Sequence, residues 1–247
     1  MEQLSHLLLM SGNDIPFRMG RCSIHPPTLK EISYIGEEAF QIGSRFLLFN
    51  KEESLEEKDK NDLSQQSNFN IFMSVMNSTE IAKHKTDALL VLTLIFPNFN
   101  VKINKDKILL QSDKNFETSV NEYNFEEFQS IIRQIFCLDG MGGGDGQYKP
   151  ADDLARKIAE KLQKSKSKIA EMKGEQTQIN IFERYVSILS VGLMKDKNDL
   201  MQYTVYQIND EMERFRLKQE FDMYVQAKMA GAKDMEEVKN WMDDIHS

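Results

Sequence analysis

The sequence predicts a mainly α protein with a small antiparallel β element in its N-terminal part, an α+β arrangement followed by an all-α C-terminal module. Three observations predict it. Five glycines crowd into Gly140-Met141-Gly142-Gly143-Gly144-Asp145-Gly146 and divide the chain. Before that break, apolar residues recur both at the two-residue spacing of strands and at the 3.6-residue period of helices. After it, only the helical spacing is found. The expected organisation is a mixed α+β domain over 1–139, a Gly-rich linker over 140–150 and an all-helical module over 151–247.

Composition bounds the rest. The chain has 247 residues, 40% hydrophobic and 28% charged, with a formal net charge of −8. This is the balance of a folded protein with a core, not of a wholly disordered chain. Acidity argues against sequence-independent nucleic-acid binding, which relies on Lys and Arg to neutralise phosphates. No run approaches the roughly 18 apolar residues of a membrane span. The stretch from Leu7 to Met10 is too short, and it lacks the basic start and small-residue cleavage site of a signal peptide. Cys22 and Cys137 lie far apart without a CxxC and read as reduced thiols of a cytosolic protein, a disulfide being the alternative.

The elements follow in order. Met1 to Met10 is a short helix or a tethered arm. Ile15, Phe17 and Met19 alternate, Gly20-Arg21 makes a turn, and Cys22 and Ile24 resume the alternation, so 15–24 reads as a hairpin. Pro16 must take an edge or first position, because it has no N–H to give a ladder. Thr28 and Glu31 form a capping-box pattern, and one helix is expected from there through Ile32, Ile35 and Ala39 towards Phe49, with a weak spot near Gly43. Residues 51–66 are nearly all polar, a surface loop or a solvated helix. Phe69 to Met76 and Glu80 to Phe96 read as helices. The run Ala88 to Phe96 has a buried strand as its rival, given Val91, Thr93 and Ile95. Pro97 stops it.

From Asn100 to Val120 the period becomes two, with turns at Asn104-Lys105-Asp106 and Asp113-Lys114-Asn115, a meander of two or three strands. Phe125, Phe128, Ile131, Ile132, Ile135 and Phe136 then restore the helical period. Beyond the glycines, helices are expected over Ala151 to Lys173 and Asn180 to Gly192. A long helix is expected to open at Asn198-Asp199, either continuous or broken near Lys218, and to be capped by Gly231. A last short helix is expected from Asp234 with Val238, Trp241 and Ile245.

Catalytic patterns do not emerge. The chain has no GxxxxGK[ST], no strand-anchored GxGxxG, no HExxH and no GxSxG. The glycine run lacks the Lys-Ser/Thr pair of a phosphate loop. His6, His25, His84 and His246 do not pair at metal-ligand spacing, and His25, ahead of Pro26-Pro27, reads as structural. Asp152-Asp153, Glu236-Glu237 and Asp243-Asp244 are adjacent carboxylates, about 100° apart on a helix, and do not share a proton. The run Arg156, Lys157, Lys161, Lys164, Lys166, Lys168 and Lys173 is a solvated helical face, or a contact with an acidic partner or nucleic acid. Fourteen methionines, several of them in the second half, suit either core filling or an adaptable groove.

Two stretches resemble a known family. Ile24-His25-Pro26-Pro27-Thr28-Leu29-Lys30-Glu31-Ile32 is followed by Ile35-Gly36-Glu37-Glu38. Leu200-Met201-Gln202-Tyr203-Thr204-Val205-Tyr206-Gln207-Ile208 continues through Phe221-Asp222-Met223-Tyr224-Val225-Gln226-Ala227-Lys228-Met229-Ala230-Gly231-Ala232-Lys233. Together they resemble tail assembly chaperone-type proteins of long-tailed bacteriophages of Gram-positive hosts. Pro27 stands where the family usually has leucine, and Val205 where isoleucine is commoner. The ends carry the resemblance better than the middle.

The resemblance implies a non-enzymatic role without cofactor or metal: covering an apolar helical client, the tape-measure protein, before tube protein polymerises round it and displaces the cover. It also implies the host cytoplasm as the location. Self-association stays open, and a membrane or nucleic acid is not an expected partner. Candidate client-binding residues are Tyr203, Tyr206, Phe215, Phe221, Tyr224 and Met229, each of which is equally suited to a core. A structural virion component, such as a connector or baseplate subunit, is the alternative.

Overall fold

The computed structural model describes residues 3–50, 66–77, 82–114, 116–137, 180–231 and 238–243. Nearly all of the polar segment 51–66, the glycine run and the lysine-rich helix expected at 151–173 lie outside the described residues. What is described is helical, with two small antiparallel sheets in the N-terminal part.

The chain enters through a short helix, α1 (His6–Ser11), which Ser5 caps by accepting the Leu8 N–H. The hairpin follows. Strands β1 (Ile15–Phe17) and β2 (Cys22–Ile24) pair with Ile15 opposite Ile24 and Phe17 opposite Cys22. Ile15, Phe17 and Ile24 are fully buried. Pro16 faces Ser23 in a sheet of two strands, so both strands are edges and the missing N–H is tolerated.

Thr28 and Glu31 do form the capping box, but the helix they open is shorter than expected. The chain builds α2 (Leu29–Ile35), breaks at Gly36 with φ 88 and ψ 143, and starts again as α3 (Glu37–Leu47). A side chain would disfavour that backbone, so Gly36 is the break. Gly43, the expected weak spot, lies inside α3 and serves another purpose. A Cβ there would sit 2.4 Å from the carbonyl oxygen of Asp87. The missing side chain lets α3 press against the backbone of α5 (Ala82–Ile95).

Helix α4 (Asn68–Asn77) buries Phe69, Phe72, Met73 and Met76. The disputed apolar run is helical: Ala88, Val91, Leu92 and Ile95 of α5 are all fully buried, and the helix ends before Pro97. The meander appears as β3 (Asn100–Ile103), β4 (Ile108–Gln111) and β5 (Glu117–Val120), ordered β3-β4-β5 with every pairing antiparallel. Helix α6 (Phe125–Phe136) buries all six of its predicted apolar positions.

The C-terminal part is helical, with two corrections. After α7 (Ile181–Leu193), the residues 198–199 do not open a long helix. They belong to α8 (Lys197–Met201), capped by Asp196. The long helix α9 (Val205–Met229) has its own capping box, in which Thr204 and Gln207 satisfy each other's backbone amides, and it runs unbroken past Lys218. Gly231, at φ 88, follows its end. Among the described residues of the expected last helix, 238–240 have no regular structure and 241–243 form a turn and bend instead. There the Arg214 guanidinium donates to the carbonyls of Trp241 and Asp243, at 2.6 and 2.8 Å. These bonds hold the segment against α9 without an internal helical ladder.

One hydrophobic cluster draws on both parts. It runs from Leu9, Ile15 and Phe17 through the phenylalanines 69, 72, 96, 125 and 128 to Phe182, Leu189, Leu200, Val205 and Ile208. Cys22 and Cys137 are half-buried thiols that are not joined in a disulfide. Among the described residues, no helix is long and apolar enough to cross a membrane.

Candidate client-binding surface

The surface begins with how the C-terminal helices are seated. The Leu29 N–H at the start of α2 donates to the Tyr203 carbonyl at 2.9 Å. Thr28 and Thr204, the caps of α2 and α9, form an isolated antiparallel bridge. Gln207 Nε2 reaches the Met10 carbonyl at 2.7 Å, and the Tyr206 hydroxyl lies 2.8 Å from His6 Nδ1. The two sequence stretches that stood out together are therefore in direct backbone contact.

A second joint lies at α7. Asn180 provides no side-chain cap there, and the Glu37 carboxylate of α3 replaces it. It accepts the amides of Phe182 at 2.9 Å and Glu183 at 3.5 Å. A carboxylate suits the positive end of a helix dipole. Burial nevertheless pushes the Glu37 carboxyl above its ordinary range, outweighing those amide bonds. Beside it a cavity of about 420 Å³ is lined by Leu29, Ile32, Phe182, Val186 and Met201, among others.

Three of the six candidates belong to this seating. Tyr203 is half-buried; its hydroxyl accepts from Lys195 Nζ at 2.8 Å, while Lys195 also pairs with Glu211 at 2.7 Å. Those two hydrogen bonds, first Glu211 and then Tyr203, raise the Lys195 pKa. Tyr206 is only 7% exposed, and Phe215 packs its ring over Gly192. Tyr206 belongs to the core, and Tyr203 and Phe215 are half-buried and packed against it.

The other three lie elsewhere. At about 1.5 Å per residue, the 25 residues of α9 span roughly 37 Å. Its buried residues are Val205, Tyr206, Ile208 and Leu217, so the turns after Leu217 project beyond the core. Phe221, Tyr224, Val225 and Met229 fall on one stripe of that extension, at helical spacing i, i+3, i+4 and i+8. Phe221 and Tyr224 are half-buried, Val225 is exposed, and Met229 is 84% exposed. Met223, 68% exposed, carries a thioether on the opposite face, about 160° round the helix from Phe221. The sequence reading did not include Met223 and Val225 among the candidates. The recurrence of Val225 four residues after Phe221 was the available signal.

This extension carries its own support. Arg216 pairs with Glu213 and Glu220 at 2.6 Å, and Lys218 pairs with Asp222 at 2.7 Å, all at i,i+3 or i,i+4 spacing. Lys228 lies over the Tyr224 ring, 5.4 Å from its centre. Each such pair stabilises a helix by about 0.2–0.5 kcal/mol, so together they help to hold this stretch helical. Chemically, the arrangement offers an ordered apolar stripe and no convergent reactive groups. Among the described residues, no group of three or more His, Cys, Asp or Glu could hold a metal ion.

A family model described as YomV second domain matches residues 173–246. The family is phage-derived. No curated protein and no solved structure matches the chain. The segment that contains α7, α8 and the projecting α9 is thus similar to a phage-associated domain.

Proposed function

We propose that this chain is a non-enzymatic phage tail assembly chaperone, which covers the apolar stripe of a helical client, the tape-measure protein, and yields it to the tube protein. One observation carries this reading. An exposed apolar stripe stands on a helix that projects from the core, and that helix lies in the segment matching a phage-derived domain. The resemblance of the two quoted stretches to tail assembly chaperones supplies the class of client. A greasy rod aggregates unless its stripe is covered, and helix against helix is an economical way of covering it.

Magnitudes shape the mechanism. Full burial of an apolar side chain stabilises by about 1.5–3 kcal/mol, whereas association costs roughly 4–15 kcal/mol in lost freedom. The few side chains of the α9 stripe therefore make a weak single contact. Copies repeated along one rod bind through avidity and can still be displaced one at a time. A helix already formed before contact loses little further entropy on binding.

Co-expression tests the proposal. The tape-measure protein should stay in the soluble fraction with this chain and precipitate without it, and the chain should be absent from purified particles. Equal precipitation in both cases overturns the reading. Stoichiometric retention in particles would favour a structural virion component.

A further inference from the structure

The motif around His25 has a role that client covering does not use. The imidazole sits at the meeting point of three elements. Its Nδ1 lies 2.8 Å from Asp14 Oδ1, just ahead of β1, and its Nε2 lies 3.3 Å from Glu31 Oε2 in the first turn of α2. Its backbone N–H is tied to the Ile95 carbonyl at the end of α5, at 2.9 Å. The same Glu31 oxygen takes the Thr28 amide at 2.7 Å and the Thr28 hydroxyl at 2.8 Å, so it closes the cap of α2. The next amide, that of Leu29, is the one bonded to Tyr203.

Carboxylates only accept hydrogen bonds, and a neutral imidazole has one N–H and one lone pair. With a carboxylate oxygen on each side, a neutral ring would turn its lone pair towards one of them. Only the doubly protonated ring donates to both. We propose that His25 is an imidazolium clasp between Asp14 and Glu31, and that its protonation regulates how firmly the C-terminal helices are seated on α2.

The remaining charged and titratable groups of the cleft beside His25 are Arg21, Cys22, Asp113 and Lys114. Arg21 and Lys114 oppose a positive ring and Asp113 favours it, whereas Asp14 and Glu31 are the groups bonded to it. The clasp is partly dry, with the His25 side chain 25% exposed. Burial alone would lower the His25 pKa, but the hydrogen bonds to Asp14 and Glu31 and their charges outweigh it and raise the pKa above 6.5. A group with a raised folded pKa contributes stability that is complete below the unfolded pKa and is lost as pH rises through the folded one.

The test uses the full chain and two readouts. Ring nitrogen and carbon NMR shifts, with the His25 signal identified by its loss in His25→Gln, should show both nitrogens protonated below pH 6.5 and a titration midpoint above that value. Amide exchange at Leu29, corrected for intrinsic base catalysis and referred to amides of α6, should report an opening constant that rises roughly tenfold as the ring deprotonates, the order expected when one charge-assisted hydrogen bond is lost. His25→Gln should remove that pH dependence. A titration midpoint at or below 6.5, or Leu29 protection indifferent to the ring's titration, overturns the proposal.

Discussion

Ser44 and Gly43 are adjacent and should respond to alanine in opposite ways. The Ser44 side chain is fully buried and its Oγ has no hydrogen-bond partner, as is also true of Asp87 Oδ2 across the same helix pair. An unpaired buried hydroxyl keeps its desolvation cost and returns nothing. Ser44→Ala should therefore stabilise the fold by about 1 kcal/mol, read as a rise in Tm of about 2–4 °C. Gly43→Ala should do the reverse. Its new methyl meets the Asp87 backbone, which cannot swing aside as a flexible side chain would. The helices must separate, at a cost of about 1–3 kcal/mol in a denaturant melt. A higher midpoint for Gly43→Ala would mean that α3 and α5 are not in this close contact.

At the scale of elements, the caps concentrate the pH dependence. The Glu31 pKa is lowered: burial works the other way, but the Thr28 amide and hydroxyl and then His25 outweigh it. Its share of stability is present above 4.5, its ordinary value, and is lost as pH falls through the depressed folded value. His25 has the opposite sign, with its share complete below 6.5 and lost on the alkaline side. Melts across pH should show the contribution of this cluster on a plateau between 4.5 and 6.5, falling on both sides. Thr28→Ala should cost about 1 kcal/mol on that plateau and flatten the acid arm alone. A profile unchanged in shape by this substitution would remove the capping box from the account.

The same elements show what a sequence can reveal. The Thr28–Glu31 cap is local, four consecutive residues satisfying one another, and it was legible. The Thr204–Gln207 cap has the same form, yet Asn198-Asp199 offered a competing start six residues earlier. What decides between them is the strand-like contact of Thr204 with Thr28, which lies far away in the chain. Gly43 misled for the same reason. Its purpose is set by the backbone of α5, not by its neighbours in sequence. The helical spacing of Phe221, Tyr224 and Met229 could be read directly. Where the core stops along α9 could not, and that boundary at Leu217 separates Tyr203, Tyr206 and Phe215 from the residues left facing outward.

For the whole molecule, the division of α9 into a seated and a projecting half allows folding and binding to be separated by substitution. Ile208 is fully buried within the shared cluster, whereas Val225 and Met229 of the stripe are exposed. Ile208→Ala should cost about 2–5 kcal/mol and impair every activity, because the seat of the C-terminal helices goes with it. Val225→Glu combined with Met229→Glu removes little buried contact, so the melt should stay within about 0.5 kcal/mol of the parent protein. If α9 covers a client, the double variant should nevertheless fail to keep the tape-measure protein soluble, since each carboxylate would have to be desolvated against an apolar rod. Should the double variant melt normally and protect the client as well as the parent does, the stripe is not the binding surface. The cavity beside Glu37 would then be the place to look next, because its apolar lining is shared between α2 and the segment that matches the phage-derived domain.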